Sequence, residues 1–120
     1  LHQSVSKITN GMAYQQAFLK YCDFLIDLAK KDSKIQKIIA LYGKEFLLYY
    51  CEAMSHRILK TPITKRTIKV ADFIRACESV AEKFIPGQVF EPLRKFRIWI
   101  AKQLDQTSAG RKLFQLYRKY

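Results

Sequence analysis

The sequence predicts an all-α fold. Glycine and proline are scarce in 120 residues, confined to Gly11, Gly43, Gly87, Gly110, Pro62, Pro86 and Pro92. Between them, apolar residues recur at the three- and four-residue spacing of a helix with one face inside. A chain of this length is one domain, and 49% apolar residues are enough to bury a core. Residues 1–11 are expected to be a disordered segment and 12–120 a single basic helical domain.

From Met12 to Lys31, Ala17, Phe18, Tyr21, Cys22, Leu25 and Leu28 form one stripe, with Lys30 and Lys31 suiting the C-terminal end of the helix dipole. Ser33 and Gln36 then have the spacing of a capping box. The helix that follows runs to about Leu59. Ile35, Ile38, Ile39, Tyr42, Phe46, Tyr49, Tyr50 and Ala53 make its stripe, while Leu41, Leu48, Cys51 and Ile58 lie off it. A helix apolar on two sides sits centrally or against a partner, and Gly43 within it points to a close helix crossing. Thr61-Pro62 ends it, because the residue before proline avoids the helical region.

Val70 to Phe84 is the next helix, with Phe73, Ala76, Cys77, Val80, Ala81 and Phe84 on one side, and Pro86-Gly87 is a turn. A further helix is expected from Phe90 to Leu104, with Leu93, Phe96, Ile100 and Leu104 inward and Trp99 at the flank. Thr107 or Ser108 caps the last one.

Charge points to a class of partner. Twenty-two Lys and Arg against ten Asp and Glu leave +12, which favours polyanions. Residues 1–56 carry seven cations and five anions, 57–83 seven and three, and 84–120 eight and two. The surplus therefore builds from the Lys65 loop onwards. A solvated basic face without a ligand is the plain alternative.

Within Lys65-Arg66-Thr67-Ile68-Lys69-Val70-Ala71-Asp72-Phe73-Ile74-Arg75-Ala76, a basic loop leads into a helix. This stretch resembles the junction between the long central helix and the last core helix of the histone fold. The segment Phe90-Glu91-Pro92-Leu93-Arg94-Lys95-Phe96 resembles the extra helix found in the histone-fold subunits of CCAAT-box-binding and chromatin-accessibility complexes. The resemblance spans residues 20–98. It implies a histone-fold-like core with extra C-terminal helices, a nuclear DNA-binding subunit, a second chain against the central helix, a phosphate-contacting loop, and an Asp72 that holds Arg66. The chain departs from that pattern in its long first helix, in the Lys69 that replaces a Ser, Thr or Asn cap, in an extra turn before Pro92, and in its terminal helix. A compact five-helix bundle is the alternative architecture.

The residues expected to meet duplex DNA are Lys65, Arg66, Thr67, Lys69, Arg94, Lys95, Arg97, Arg111, Lys112, Arg118 and Lys119, with Lys102 on the same helical stretch. Cations and a hydroxyl suit phosphate oxygens. Asp72 is expected to be structural, in the first turn of its helix. Trp99, Tyr117 and Tyr120 interleave with the cations and could stack on bases, although aromatics at helical spacing more often fill a core. Tyr42, Tyr49 and Tyr50 suggest a core or an interface with a protein partner or second copy.

Other chemistries find little footing. Cys22, Cys51 and Cys77 lie in helical patterns as small core residues of a reducing compartment, and His2 and His56 are far apart, so neither a metal nor a cofactor is expected. His56-Arg57 reads as a satisfied polar pair or an interface edge. Neither a glycine-rich phosphate loop nor a nucleophile–base motif is present, and acidic residues are scarce, Asp23/Asp27 being one close carboxylate pair, so no enzymatic activity or small-molecule substrate is expected. The longest apolar run, Phe46 to Cys51, is far short of a membrane span. Two other classes remain beside a DNA-binding subunit: a helical interaction module of a nuclear complex with an acidic partner, and an RNA-binding helical domain.

Overall fold

A computed structural model describes residues 11–65 and 67–119, and among them the secondary structure is helical throughout. Helices α1 (Gly11–Lys31) and α2 (Ser33–Lys60) are separated by one residue, Asp32. Its backbone is extended and its carboxylate accepts a hydrogen bond from the Lys34 N–H at 2.9 Å. The cap is therefore Asp32 rather than the expected Ser33. Both residue types cap well, and the chain breaks at the earlier one, which leaves Ser33 as the first residue of α2.

Helix α2 ends at Thr61, whose hydroxyl donates to the Arg57 carbonyl at 2.9 Å just before Pro62. After a 3-10 turn at Ile63–Lys65 comes α3 (Val70–Phe84), with the bounds the periodicity predicts. Pro86 and Gly87 form a type II turn: Gly87 has φ +80° and the Gln88 N–H donates to the Ile85 carbonyl at 3.1 Å. Gln88 also reaches back to the Ala40 carbonyl of α2, at 3.2 Å.

The expected Phe90–Leu104 helix divides. Pro92–Arg94 is a 3-10 turn, Lys95 is extended, and α4 covers only Phe96–Asp105. Its inward residues are Ile98 and Ala101, with Pro92 buried ahead of it, while Phe96 is 70% exposed and Leu93 38%. Of the expected inward residues, Leu104 packs against the core, whereas the buried face of α4 runs through Ile98, Ala101 and Asp105 and leaves Phe96 outside. Helix α5 (Ser108–Lys119) begins at Thr107, whose hydroxyl oxygen accepts from the Gly110 N–H at 2.9 Å.

Helix α2 is the hub and packs against α1, α3 and α4, while α5 rests on α4. The core joins the first three helices through aromatic rings. Phe18 of α1 stacks on Tyr50 of α2 at 4.4 Å and approaches Phe73 of α3 at 6.2 Å, and Phe46 meets Phe84 at 6.1 Å. The three cysteines lie buried in this core, one from each helix, and all are free thiols.

On α2 the expected stripe faces inward only in part. The buried residues are Gly43, Leu47, Leu48, Cys51, Ser55, Ile58 and Leu59. Of the expected stripe, Ile39, Phe46 and Tyr50 pack against the core, whereas Ile38, Tyr42 and Tyr49 are exposed, as is the off-stripe Leu41. Leu48, Cys51 and Ile58, read from the sequence as off-stripe, face the protein's own interior. On α1, Phe18 and Cys22 are buried as expected, whereas Ala17, Tyr21 and Leu28 face solvent.

Candidate nucleic-acid interface

The loop between α2 and α3 is built by local bonds. The Lys65 N–H donates to the Pro62 carbonyl at 2.8 Å, which closes the 3-10 turn and leaves Lys65, Thr67 and Lys69 exposed beyond it. Arg66 lies outside the described residues. Lys69 occupies the cap position of α3 and supplies no side-chain bond to the helix end.

That bond comes from elsewhere in the chain. Asp105, the last residue of α4 and only 6% exposed, accepts from the Val70 N–H through its Oδ2 at 3.0 Å. A carboxylate there satisfies one of the orphan donors at the start of a helix and matches the helix dipole. The Asp105 carbonyl in turn accepts from Arg111 Nη1 at 2.7 Å. Asp105 thus clasps the Lys65–Lys69 loop to the corner between α4 and α5.

The consequence is electrostatic. Lys65, Thr67 and Lys69 from the loop are brought to the end of the molecule that carries Lys102, in the last turn of α4, and Arg111 and Lys112, in the first two turns of α5. Lys112 is exposed, whereas Arg111 is half-buried and occupied with the Asp105 carbonyl. Asp72, on the first turn of α3, pairs with Arg75 one turn along the same helix. The Arg66 expected to pair with it is outside the described residues, as are the side chains of Arg118, Lys119 and Tyr117, and Tyr120 altogether.

The remaining cations gather at the opposite end of α4. Arg94 pairs with Glu91, and Arg97 Nη1 lies 3.4 Å from Glu52 Oε1 of α2. Lys95 is exposed. Between Lys95 and Lys102 the rings of Phe96 and Trp99 stack on one another at 6.1 Å and 28°. The eleven candidate residues therefore do not form one continuous strip: those described divide between the two ends of α4.

His56 is neither exposed nor satisfied. Its ring lies 6.2 Å from that of Phe114 on α5 and its Nε2 is buried without a protein partner. Burial, with Arg97 nearby, holds its pKa below the ordinary 6.5. The thiols are shifted the other way. Burial, with Asp23 beside it, pushes Cys22 up to about 12, and a hydrogen bond with Cys51 together with burial raises Cys77 further. Among the described residues no group of His, Cys, Asp and Glu is arranged to hold a metal ion, and no helix is long and apolar enough to cross a membrane. A groove of about 300 Å³ between the end of α1, the start of α2 and the Pro86 turn has no carboxylate, imidazole or thiol in its lining.

Sequence reasoning missed Asp105 and Phe96. A lone acid in a cationic stretch was the available signal for the first, and nothing in the periodicity marked the second as exposed. Compared with family models, curated proteins and solved structures, the chain matches none of them.

Proposed function

We propose that this chain is a nucleic-acid-binding helical domain that engages duplex DNA through its phosphates. The loop Lys65–Lys69 and the α4–α5 corner would act as one cationic surface. The Asp105 clasp carries this reading, because it unites cations from two distant parts of the sequence at one end of the molecule. Four exposed or half-exposed lysines, Lys65, Lys69, Lys102 and Lys112, are then free to neutralise phosphates without breaking an internal ion pair of the fold. The contacts carry little sequence information, since phosphates position a protein and base edges specify. A subunit of a nuclear, chromatin-associated complex is the setting that the histone-fold resemblance implies.

A salt series tests the proposal. If about six phosphates are neutralised, the logarithm of the affinity for duplex DNA should fall with the logarithm of salt concentration with a slope of roughly −5. Replacing Lys65, Lys69 and Lys112 by Ala should make that slope shallower by about two to three units. A flat response, or no binding at about 50 mM salt, would overturn it.

A second reading rests on α2. Ile38, Leu41, Tyr42 and Tyr49 leave large apolar surface in solvent on the helix that organises the fold. Such a face suits a protein partner, either a second copy or another subunit. Light scattering at high micromolar concentration separates these cases: a monomer removes the second copy and leaves only a different chain.

A further inference from the structure

The opposite end of α4 has a chemistry that duplex phosphates do not use. Phe96 is 70% exposed and Trp99 43%, so two aromatic rings stand in solvent on a helix of ten residues. Their ring centroids lie 6.1 Å apart with the planes inclined at 28°, so the two rings form one contiguous aromatic patch. The inward side of α4 is already filled by Ile98 and Ala101. Core packing therefore does not account for the pair.

Its surroundings select the ligand. Trp99 stands one turn from Lys95, whose carbonyl accepts the Trp99 N–H at 3.0 Å, and one turn from Lys102 on the other side. Residues at these spacings are neighbours on a helix surface. Arg94 and Arg97 add charge, and their ion pairs with Glu91 and Glu52 are largely exposed. Exposed pairs are weak and open readily to a competing anion. An apolar protein partner would have to desolvate these cations without compensation, whereas a polyanion with flat aromatic faces satisfies both features.

We infer that Phe96 and Trp99 form a stacking platform for an unpaired nucleobase of a single-stranded nucleic acid, with Lys95 on the flanking phosphate. Base–aromatic stacking tolerates any base, since each has a π face, and cations alongside track the backbone. A paired base is closed to it, because both its faces are covered by its neighbours in the duplex. The platform thus extends the phosphate-binding reading, on which its affinity partly rests, to strand ends, gaps and unwound segments.

Trp99 is the chain's only tryptophan, so its fluorescence reports on the platform alone. The full chain is titrated with labelled oligothymidylate and oligouridylate of about twelve nucleotides, a blunt duplex of the same length, and linear polyphosphate. Either single strand is expected to quench Trp99 strongly, with the relative affinities identifying DNA or RNA as the source, while polyphosphate and duplex bind with little quenching. Phe96→Ala and Trp99→Ala should each weaken single-strand binding about tenfold, read by the anisotropy of the labelled strand, and leave duplex affinity within about twofold. Trp99→Phe should retain most of it. Duplex binding without single-strand quenching, or variants that bind single strands as wild type does, would overturn the platform and leave the phosphate reading standing. Failure of every nucleic acid to bind would overturn both.

Discussion

Ser55 is fully buried near the C-terminal end of α2, and its hydroxyl oxygen meets no partner. A buried hydroxyl without a hydrogen bond costs more than the packing its oxygen provides. Ser55→Ala is therefore expected to leave stability unchanged or to raise it by up to about 1 kcal/mol, as read by denaturant melts; a clear loss would show that the hydroxyl does find a partner. His56, one residue on, predicts a pH effect of definite sign. Its folded-state pKa is held below the ordinary 6.5 by burial and by Arg97 and Lys60, against the opposing pull of Glu52. The unfolded chain then binds the proton more readily, so stability is complete above about pH 6.5 and declines as the pH falls below it. Melting temperatures at pH 7.5 and 5 should diverge for the wild type and less for His56→Gln; equal divergence would move the cause elsewhere. The thiols of Cys22, Cys51 and Cys77 were legible as core residues from their helical spacing, and burial makes all three slow to alkylate until the chain unfolds, the more so for Cys22 and Cys77, whose pKa values are raised. Asp105 was not legible. Its role is a bond to a backbone N–H 35 residues away, and no local pattern encodes such a distance.

Helix α2 shows why elements were easier to find than faces. Its ends were signalled by local chemistry, a capping box read at Ser33, one residue after the actual cap Asp32, and a proline after Thr61, so the sequence placed them within a residue or so. Its inward side was not signalled, because apolar residues surround it, and a period can be counted without knowing which phase faces in. Short α4 suffered similarly: apolar residues fall on more than one side of it, and the buried face runs through Ile98 and Ala101 while Phe96 turns outward. Gly43 was read correctly as a crossing point. A Cβ built there would come within 2.9 Å of Ile85 Cγ2 and 3.1 Å of Phe84 Cε2, at the end of α3. Ile85 is buried and β-branched, so it cannot swing aside. Gly43→Ala gains about 1 kcal/mol of helix propensity and meets an overpacking penalty of about 1–3 kcal/mol. A net loss of about 1 kcal/mol is expected by thermal or urea denaturation, and a more stable variant would show that α3 moves away at little cost.

The described molecule measures 47 × 38 × 23 Å, and its thin dimension is about two helix diameters. Its radius of gyration, 15.5 Å, exceeds the roughly 14 Å expected of a spherical domain of this length. In a slab two helices thick, every helix keeps one side in water, which is why so many large apolar residues are exposed and why apolar periodicity could settle the fold class but not the interior. The same shape makes α4 a structural necessity, since it covers one flank of α2. Removing residues 88–120 is expected to yield an aggregating product, checked by light scattering. Asp105→Ala, which leaves the Val70 N–H buried and unpaired, should cost about 2 kcal/mol in denaturant melts, and Asp105→Asn, which keeps an acceptor, less than about 1 kcal/mol. Val70 and Asp105 also set an order of events in time. The loop that carries Lys65 and Lys69 is synthesised well before the residue that anchors it, so it waits for α4 to arrive. A bond of such long sequence separation forms late in folding, after the local helices. Losing it should therefore quicken unfolding roughly tenfold or more in stopped-flow experiments while folding stays nearly as fast. The nascent chain would assemble this surface charge pattern only when α4 and α5 have left the ribosome.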